Sequence, residues 1–513
     1  MYLNRIFKLM TCMFVAGFFV NTALNAQPLK AKIKIDIERK LGVIDPLLYG
    51  NFTEHLGRCI YGGIYDPTSK TADAQGFRKD VMDATRSLKT SILRWPGGNF
   101  VSGYNWMDGI GPRNLRPRKK DLAWGTIESN IIGTDEFLQY AEKIGTEPYI
   151  PVNLGTGTMD DARYWVEYCN SDTGTYYANL RAKYGRVKPY KVKYWSLGNE
   201  MDGWWQMGAK NAEDYSKLAL QTAKLMKWVD PSIKLTVCGL SMWASTTPDW
   251  NRTVLSTLKD YADYISLHYY FGDRTHNYLE YMASMAEPEK EIQQTEAIIE
   301  EVRFKHRIEK PIHIAFDEYN VWYRTGVEEK LEETYDLQDA LATASFLNIL
   351  IRNAHIVKMA NMAQLVNVIA PMTITNDTLW KQTIYYPLEL FAQHCQGKAI
   401  QTFVQCDTFQ TEKYKGVPYL DISSSYDEQT RQLVLNVVNR HPSKAIETSI
   451  DNQYGSLAPK GRVYELNAAN LKDTNSLREQ KVQTKERAIS TGRSFQYKFP
   501  AHSFTQIVLQ VNP

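Results

Sequence analysis

Between residues 47 and 368 the sequence repeats one theme, a short apolar run followed by a stretch with helical spacing. The runs are LLYGNF near 47, TSILRW near 90, EPYIPVNL near 147, VKYWSLGN near 192, IKLTVCGL near 233, DYISLHYY near 263, PIHIAFDEYN near 311 and MAQLVNVI near 362. Segments such as Ala212 to Val229 and Lys290 to Arg307 separate neighbouring runs. Runs apolar on both faces suit parallel strands covered by helices. About eight such units over residues 46–385 predict a closed (β/α)₈ TIM barrel with enlarged loops.

Past residue 386 the texture changes. IQTFVQC, YLDISSSY, RQLVLNVVN, GRVYELN, FQYKF and TQIVLQV are short and β-rich, with turn residues between them. They predict a C-terminal antiparallel β-sandwich domain over 386–513. The early segment Lys30 to Asp36, KAKIKID, alternates with period two and reads as a half-buried strand. A lone strand must pair somewhere, so residues 27–45 are expected to join the sandwich. The polar stretch Ala468 to Arg487 reads as a loop. A chain of 513 residues exceeds the size at which single cores stop growing, which agrees with two domains.

Residues 1–26 have the pattern of a signal peptide. Arg5 and Lys8 are basic, Leu9 to Val20 is apolar, and Ala23-Leu24-Asn25-Ala26 offers a small-residue cleavage site before Gln27. The apolar run is short for a membrane span. The reading is an exported chain, periplasmic or extracellular, with no membrane span after processing. Five cysteines then remain, Cys59, Cys169, Cys238, Cys395 and Cys406, an odd number that gives no disulfide framework. No C-x-x-C or H-E-x-x-H spacing occurs, so no metal site is expected. A net charge of +3 gives no argument for nucleic acid.

The functional groups of such a barrel stand at the C-terminal strand ends. There the chain places Asn51-Phe52-Thr53-Glu54, Arg94 to Asn99, Asn199-Glu200, His268-Tyr269-Tyr270, and Asp317 to Asn320 followed by Trp322, with Gln364 on the eighth strand. Carboxylates, amides, one arginine and aromatics suit an uncharged polyhydroxylated ligand. No serine nucleophile elbow or complete phosphate loop occurs. Glu200 and Glu318 follow strands four and seven, which face each other across a barrel mouth. Glycoside hydrolysis needs such a pair, one acid to protonate the leaving oxygen and one carboxylate across the anomeric carbon. Two solvated loop acids are the alternative on spacing alone.

The stretches YGNFTEHLGRCIYGGIYD, LRWPGGNFVSGYNW, DLAWGTIESN, VKYWSLGNEMDG, ISLHYY, FDEYNVWY, ANMAQLVNVIAPM and FPAHSFTQIVLQV together resemble glycoside hydrolase family 51, the α-L-arabinofuranosidases. The resemblance implies Glu200 as general acid/base and Glu318 as nucleophile. It implies Glu54, Asn99, Asn199 and Gln364 as partners of the sugar, Arg94 and Tyr270 beside Glu318, and Trp124 and Trp322 shaping the pocket. It also implies a retaining exo-acting enzyme on arabinan, arabinoxylan or derived oligosaccharides, no cofactor, and a homo-oligomer. His268 stays open between a packed strand-end histidine and a substrate contact. Two features depart from the family pattern. Tyr319 stands where Trp is frequent, on a side chain expected to point away from the nucleophile. The segment GPRNLRPRKK holds five basic residues in ten and reads as a solvated rim loop, or as a source of an arginine for acidic or branched polysaccharide. An endo-acting β-glucanase or xylanase, and a carbohydrate-binding protein without catalysis, are the alternative functions.

Overall fold

A computed structural model describes residues 29–323 and 331–512. Its first strand, β1 (Leu29–Val43), precedes eight parallel strands: β2 (Gly50–Phe52), β3 (Ile92–Arg94), β4 (Glu147–Pro151), β5 (Tyr194–Leu197), β6 (Lys234–Cys238), β7 (Tyr264–Phe271), β8 (His313–Val321) and β9 (Val357–Ala363). They close in the order β8-β9-β2-β3-β4-β5-β6-β7. The chain is therefore a (β/α)₈ barrel. All four residues of β5 are buried, as a strand covered on both faces requires. Ile92, Tyr149, Tyr194, Tyr264, Ala315 and Met359, from six strands, fill the barrel interior below the mouth.

Side-chain caps start several covering helices. Thr158 and Asp161 form a capping box before Met159–Asn170, and Asp336 and Asp339 form one before Leu337–Arg352. In that last helix all but Arg352 are buried. Its apolar circumference is explained by its place between barrel and C-terminal domain. Asn348 donates to Asp421 Oδ2 at 3.1 Å, and Arg352 bridges Glu289 of the barrel and Asp421 of the sandwich, each at 2.9 Å.

The C-terminal strands are β10 (Lys398–Gln405), β11 (Leu420–Asp427), β12 (Gln432–Asn439), β13 (Ile446–Asn452), β14 (Lys460–Asn467), β15 (Gln483–Ser490), β16 (Ser494–Phe499) and β17 (Ser503–Gln510). With β1 they form one sheet, ordered β15-β14-β17-β12-β11-β10-β1-β13-β16. Its pairings are antiparallel except that of β1 with β13. Val463 and Phe499, from opposite ends of this order, share one core with Ile33, Ile35 and Leu435, so the sheet doubles over into a sandwich.

Two local readings change. The eighth barrel strand ends at Ala363, and the run LVNVI after Gln364 is loop; it reads as strand because every residue of it is buried. The polar stretch after Ala468 contains β15, an edge strand whose charged, exposed side chains hide its β character. Residues 1–26 lie outside the described residues.

The core of the sandwich depends on β1. Ile35 is fully buried, so Ile35→Ala is expected to lower the unfolding free energy by about 2–5 kcal/mol. A urea titration checks this, and a loss under about 1 kcal/mol would remove β1 from the core.

Candidate active site

Two backbone devices aim the acids. Along β8, Ala315 pairs with Ser266 and Glu318 with His268, so three residues on one strand match two on the other. The same extra residue separates Phe316 and Tyr319 against β9. This bulge turns Asp317 and Glu318 consecutively to the interior, where strict alternation would admit one of them. Tyr319 returns to the outside and stacks on Phe346 with ring centroids 4.4 Å apart. At the end of β5, Gly198 (φ 92°) and Glu200 (φ 44°) both take left-handed conformations around Asn199. A Cβ on Gly198 would lie 2.9 Å from the Met201 side chain, so both space and φ require glycine. Glu200 has no such freedom, and its conformation costs about 1–2 kcal/mol.

The side chains converge on one network. Arg94, the last residue of β3, donates to Glu318 Oε2 at 2.8 Å and to the Asp317 carbonyl at 3.1 Å. Its other terminal nitrogen donates to Asn199 Oδ1, and its guanidinium lies 4.4 Å from the centre of the Phe52 ring. The Tyr270 hydroxyl donates to Glu318 Oε1 at 2.8 Å. Trp322 packs edge-on against Tyr270 at 5.0 Å. Glu200 Oε2 accepts from the Trp205 indole at 2.6 Å. His268 Nδ1 sits between the acids, 2.9 Å from Glu200 Oε1 and 3.7 Å from Glu318 Oε2, while Nε2 lies 3.5 Å from Asp317 Oδ1. One oxygen of Glu200, one of Glu318 and the His268 ring nitrogen all lie within 4.8 Å of one another.

Opposite them, Glu54 Oε1 accepts from the Phe100 amide at 3.2 Å and the Trp124 indole at 3.0 Å, and Oε2 accepts from the Gln364 amide at 3.1 Å. Asn199 Nδ2 is buried without a partner, a donor left for a ligand. A cavity of about 770 Å³ opens over these groups, lined by Glu54, Asn99, Glu200, Trp322, Gln364 and Glu318 among others. Tyr270 and Trp124 also line it, with Arg94 and Asn199 buried at its edge. All ten side chains singled out in the sequence thus meet at one mouth.

The electrostatics follow from burial and pairing. Burial opposes charge on His268, but Glu318, Asp317 and Glu200 around it raise its pKa well above the usual imidazole range. An imidazolium has no lone pair for a metal, so a cation could use this trio only by displacing that proton. Burial would also raise Asp317, yet Arg94, His268 and Ser266 bring it down to about 2. Burial and then the neighbouring Glu318 push Glu54 up to about 7, against hydrogen bonds from Phe100 and Trp124.

Sequence reasoning left His268 open, weighed Trp205 only as an aromatic surface for a cleft or a pocket, and gave no role to Asp317 or Tyr149, whose hydroxyl donates to Asp317 at 2.7 Å. Adjacent acids on a strand look like one inward and one outward residue, and only the bulge corrects that. The basic rim segment contributes nothing to the cavity lining. Arg113 and Arg116 are held by the buried Glu136 at 3.1 and 2.9 Å, and Lys119 by Asp108.

Glu54 makes a testable pH effect. The unfolded chain releases this proton near pH 4.5 and the folded chain near 7, so the folded state binds more protons between them. Stability from Glu54 is complete below 4.5 and is lost as pH rises through 7, a change on the order of 3 kcal/mol. Glu54→Gln is expected to flatten the fall of unfolding free energy between pH 4.5 and 7, measured in urea at several pH values. An unchanged slope would refute the assignment.

The comparisons with known proteins agree with this geometry. The family description "Alpha-L-arabinofuranosidase 1 domain" matches residues 84–286, and "Alpha-L-arabinofuranosidase C-terminal domain" matches residues 317–503. The intracellular exo-α-(1→5)-L-arabinofuranosidase of Halalkalibacterium halodurans is 42% identical over 88% of this chain and 93% of its own length. The intracellular exo-α-(1→5)-L-arabinofuranosidase 1 of Bacillus subtilis is 43% identical over 82% of this chain and 87% of its own. The solved structure of a family 51 α-L-arabinofuranosidase from Bifidobacterium longum superposes with a TM-score of 0.89 at 34% identity, covering 94% of this chain and all of that one. Two relatives named intracellular correct the expected export, which rested on the composition of residues outside the described chain. The five described cysteines are free thiols, so nothing in the described fold calls for an oxidising compartment. On these matches, the chain belongs to glycoside hydrolase family 51, the α-L-arabinofuranosidases.

Proposed function

We propose that the chain is a retaining exo-α-L-arabinofuranosidase. The observation that carries this reading is the approach of Glu200 and Glu318 oxygens to within 4.8 Å. Retaining glycosidases hold their carboxyl groups about 5–5.5 Å apart, and inverting ones about 6.5–9.5 Å. At the shorter separation no water fits between carboxylate and sugar, so the carboxylate itself attacks.

In the first step a Glu318 oxygen bonds to the anomeric carbon as the bond to the leaving oxygen breaks. Glu200 gives its proton to that oxygen. In the second step Glu200 takes a proton from water, the water oxygen bonds to the anomeric carbon, and Glu318 is released. Arg94 and Tyr270 hold Glu318 aimed before reaction begins, which is where preorganised electrostatics contribute most. Glu54, Asn99, Asn199 and Gln364 are assigned to the sugar's oxygens, and Trp124 and Trp322 to the pocket walls. Terminal arabinofuranosyl units of arabinan, arabinoxylan and their oligosaccharides are the proposed substrates; the (1→5) linkage named for two relatives supports arabinan. The homo-oligomer implied by the family resemblance is part of this proposal, and light scattering of the purified protein tests it.

Proton NMR early in hydrolysis is expected to show arabinose released with the substrate's anomeric configuration. The inverted anomer appearing first would defeat the mechanism. Glu200→Ala is expected to lose most activity, about 100-fold or more, on oligosaccharides. It should lose far less on aryl arabinofuranosides with good leaving groups, which need little protonation. Equal losses on both would remove Glu200 from the acid role.

A further inference from the structure

The cavity divides by barrel order. One arc, from β8 through β9 and β2 to β3, supplies Trp322, Gln364, Glu54 and Asn99. The other, β5 to β7, supplies Trp204 and Trp205, then Met242 and Trp243, then Arg274. Glu200 also follows β5, so the oxygen it protonates, and whatever leaves on that oxygen, lies over this second arc.

The second arc has the makings of a sugar platform with a charge beside it. Trp204 is 87% exposed and Met242 is 55% exposed, both lining the cavity. Trp243 is fixed by its indole, which donates to Gln294 at 2.7 Å. Lys413, from the sandwich-domain loop between Phe409 and Val417, reaches the same wall and pairs with Glu287 at 3.2 Å. Arg274 differs. Among the described residues no carboxylate lies within 4.0 Å of its guanidinium, whereas Arg58, Arg78, Arg94 and Arg352 are all ion-paired. A free guanidinium in a ligand cavity presents a planar fork that matches a carboxylate.

We propose that this outer arc is an acceptor subsite for a uronic acid, its carboxylate taken by Arg274 and its ring resting on Trp204. The proposal rests on the arabinofuranosidase reading and adds to it a preference for substrates whose leaving portion is acidic. It also moves the basic contact considered for the GPRNLRPRKK segment to a different loop.

The test compares an α-L-arabinofuranosyl-uronic acid disaccharide with its methyl ester, which differs in charge, using the full chain. At low ionic strength kcat/KM is expected to favour the acid by about threefold or more, the scale of an exposed charge pair. The ratio should fall toward one as salt shortens the screening length, and in Arg274→Ala, with Arg274→Lys restoring part of it. A wild-type ratio at or below one at low salt would overturn the proposal without any variant. So would the same ratio in Arg274→Ala, or cleavage of neither disaccharide while an aryl arabinofuranoside is hydrolysed. Failure on all three substrates would overturn the enzymatic reading as well.

Discussion

Three carboxylates, Glu200, Asp317 and Glu318, occupy one small volume at the barrel mouth, and Arg94 and His268 compensate them. Buried charge is tolerated only when paired and hydrogen-bonded. That requirement explains much of the surrounding structure. Arg94 is held over Phe52 and tied to Asn199; Asp317 is fixed from below by Tyr149 and Ser266. Removing either cation would leave an uncompensated acid in low dielectric. The functional pair is thus embedded in a charge balance that involves residues on or just after six of the eight barrel strands.

Much of the barrel was legible because strands buried on both faces have a distinctive texture. The strand-end acids were legible because the fold dictates which ends matter. What stayed hidden has physical causes. A bulge leaves no compositional trace, so Asp317 and Glu318 could not both be aimed from alternation. A buried loop such as Leu365 to Ile369 is as apolar as a strand. An edge strand such as β15 is as polar as a loop. His268 carries its role through three partners, Glu200 after β5 and Asp317 and Glu318 on β8, which no local spacing reveals. The basic rim segment is mostly exposed, as a solvated loop should be, but charge in a sequence does not tell whether its partner, here Glu136, is waiting inside.

The second domain is built into the first. The helix Leu337–Arg352 is buried from both sides, and Arg352 joins an acid from each domain. Lys413 extends the sandwich to the cavity wall. Sandwich and barrel therefore share a core boundary and a ligand boundary.

The placement of β1 has a consequence for synthesis. It leaves the ribosome before the barrel strands, but its antiparallel partner begins only at Lys398 and its parallel partner at Ile446. At ordinary elongation rates of about 5–20 residues per second the strand stays unpaired for on the order of tens of seconds. An open apolar strand is an aggregation hazard over such an interval. The segment KAKIKID interleaves Lys30, Lys32 and Lys34 with the residues that later enter the core. Positive charge at alternate positions repels like strands during the wait, and Lys32 afterwards pairs with Asp451 at 3.1 Å. Lys32 thus guards the nascent chain and then helps hold β1 against β13 in the finished sheet.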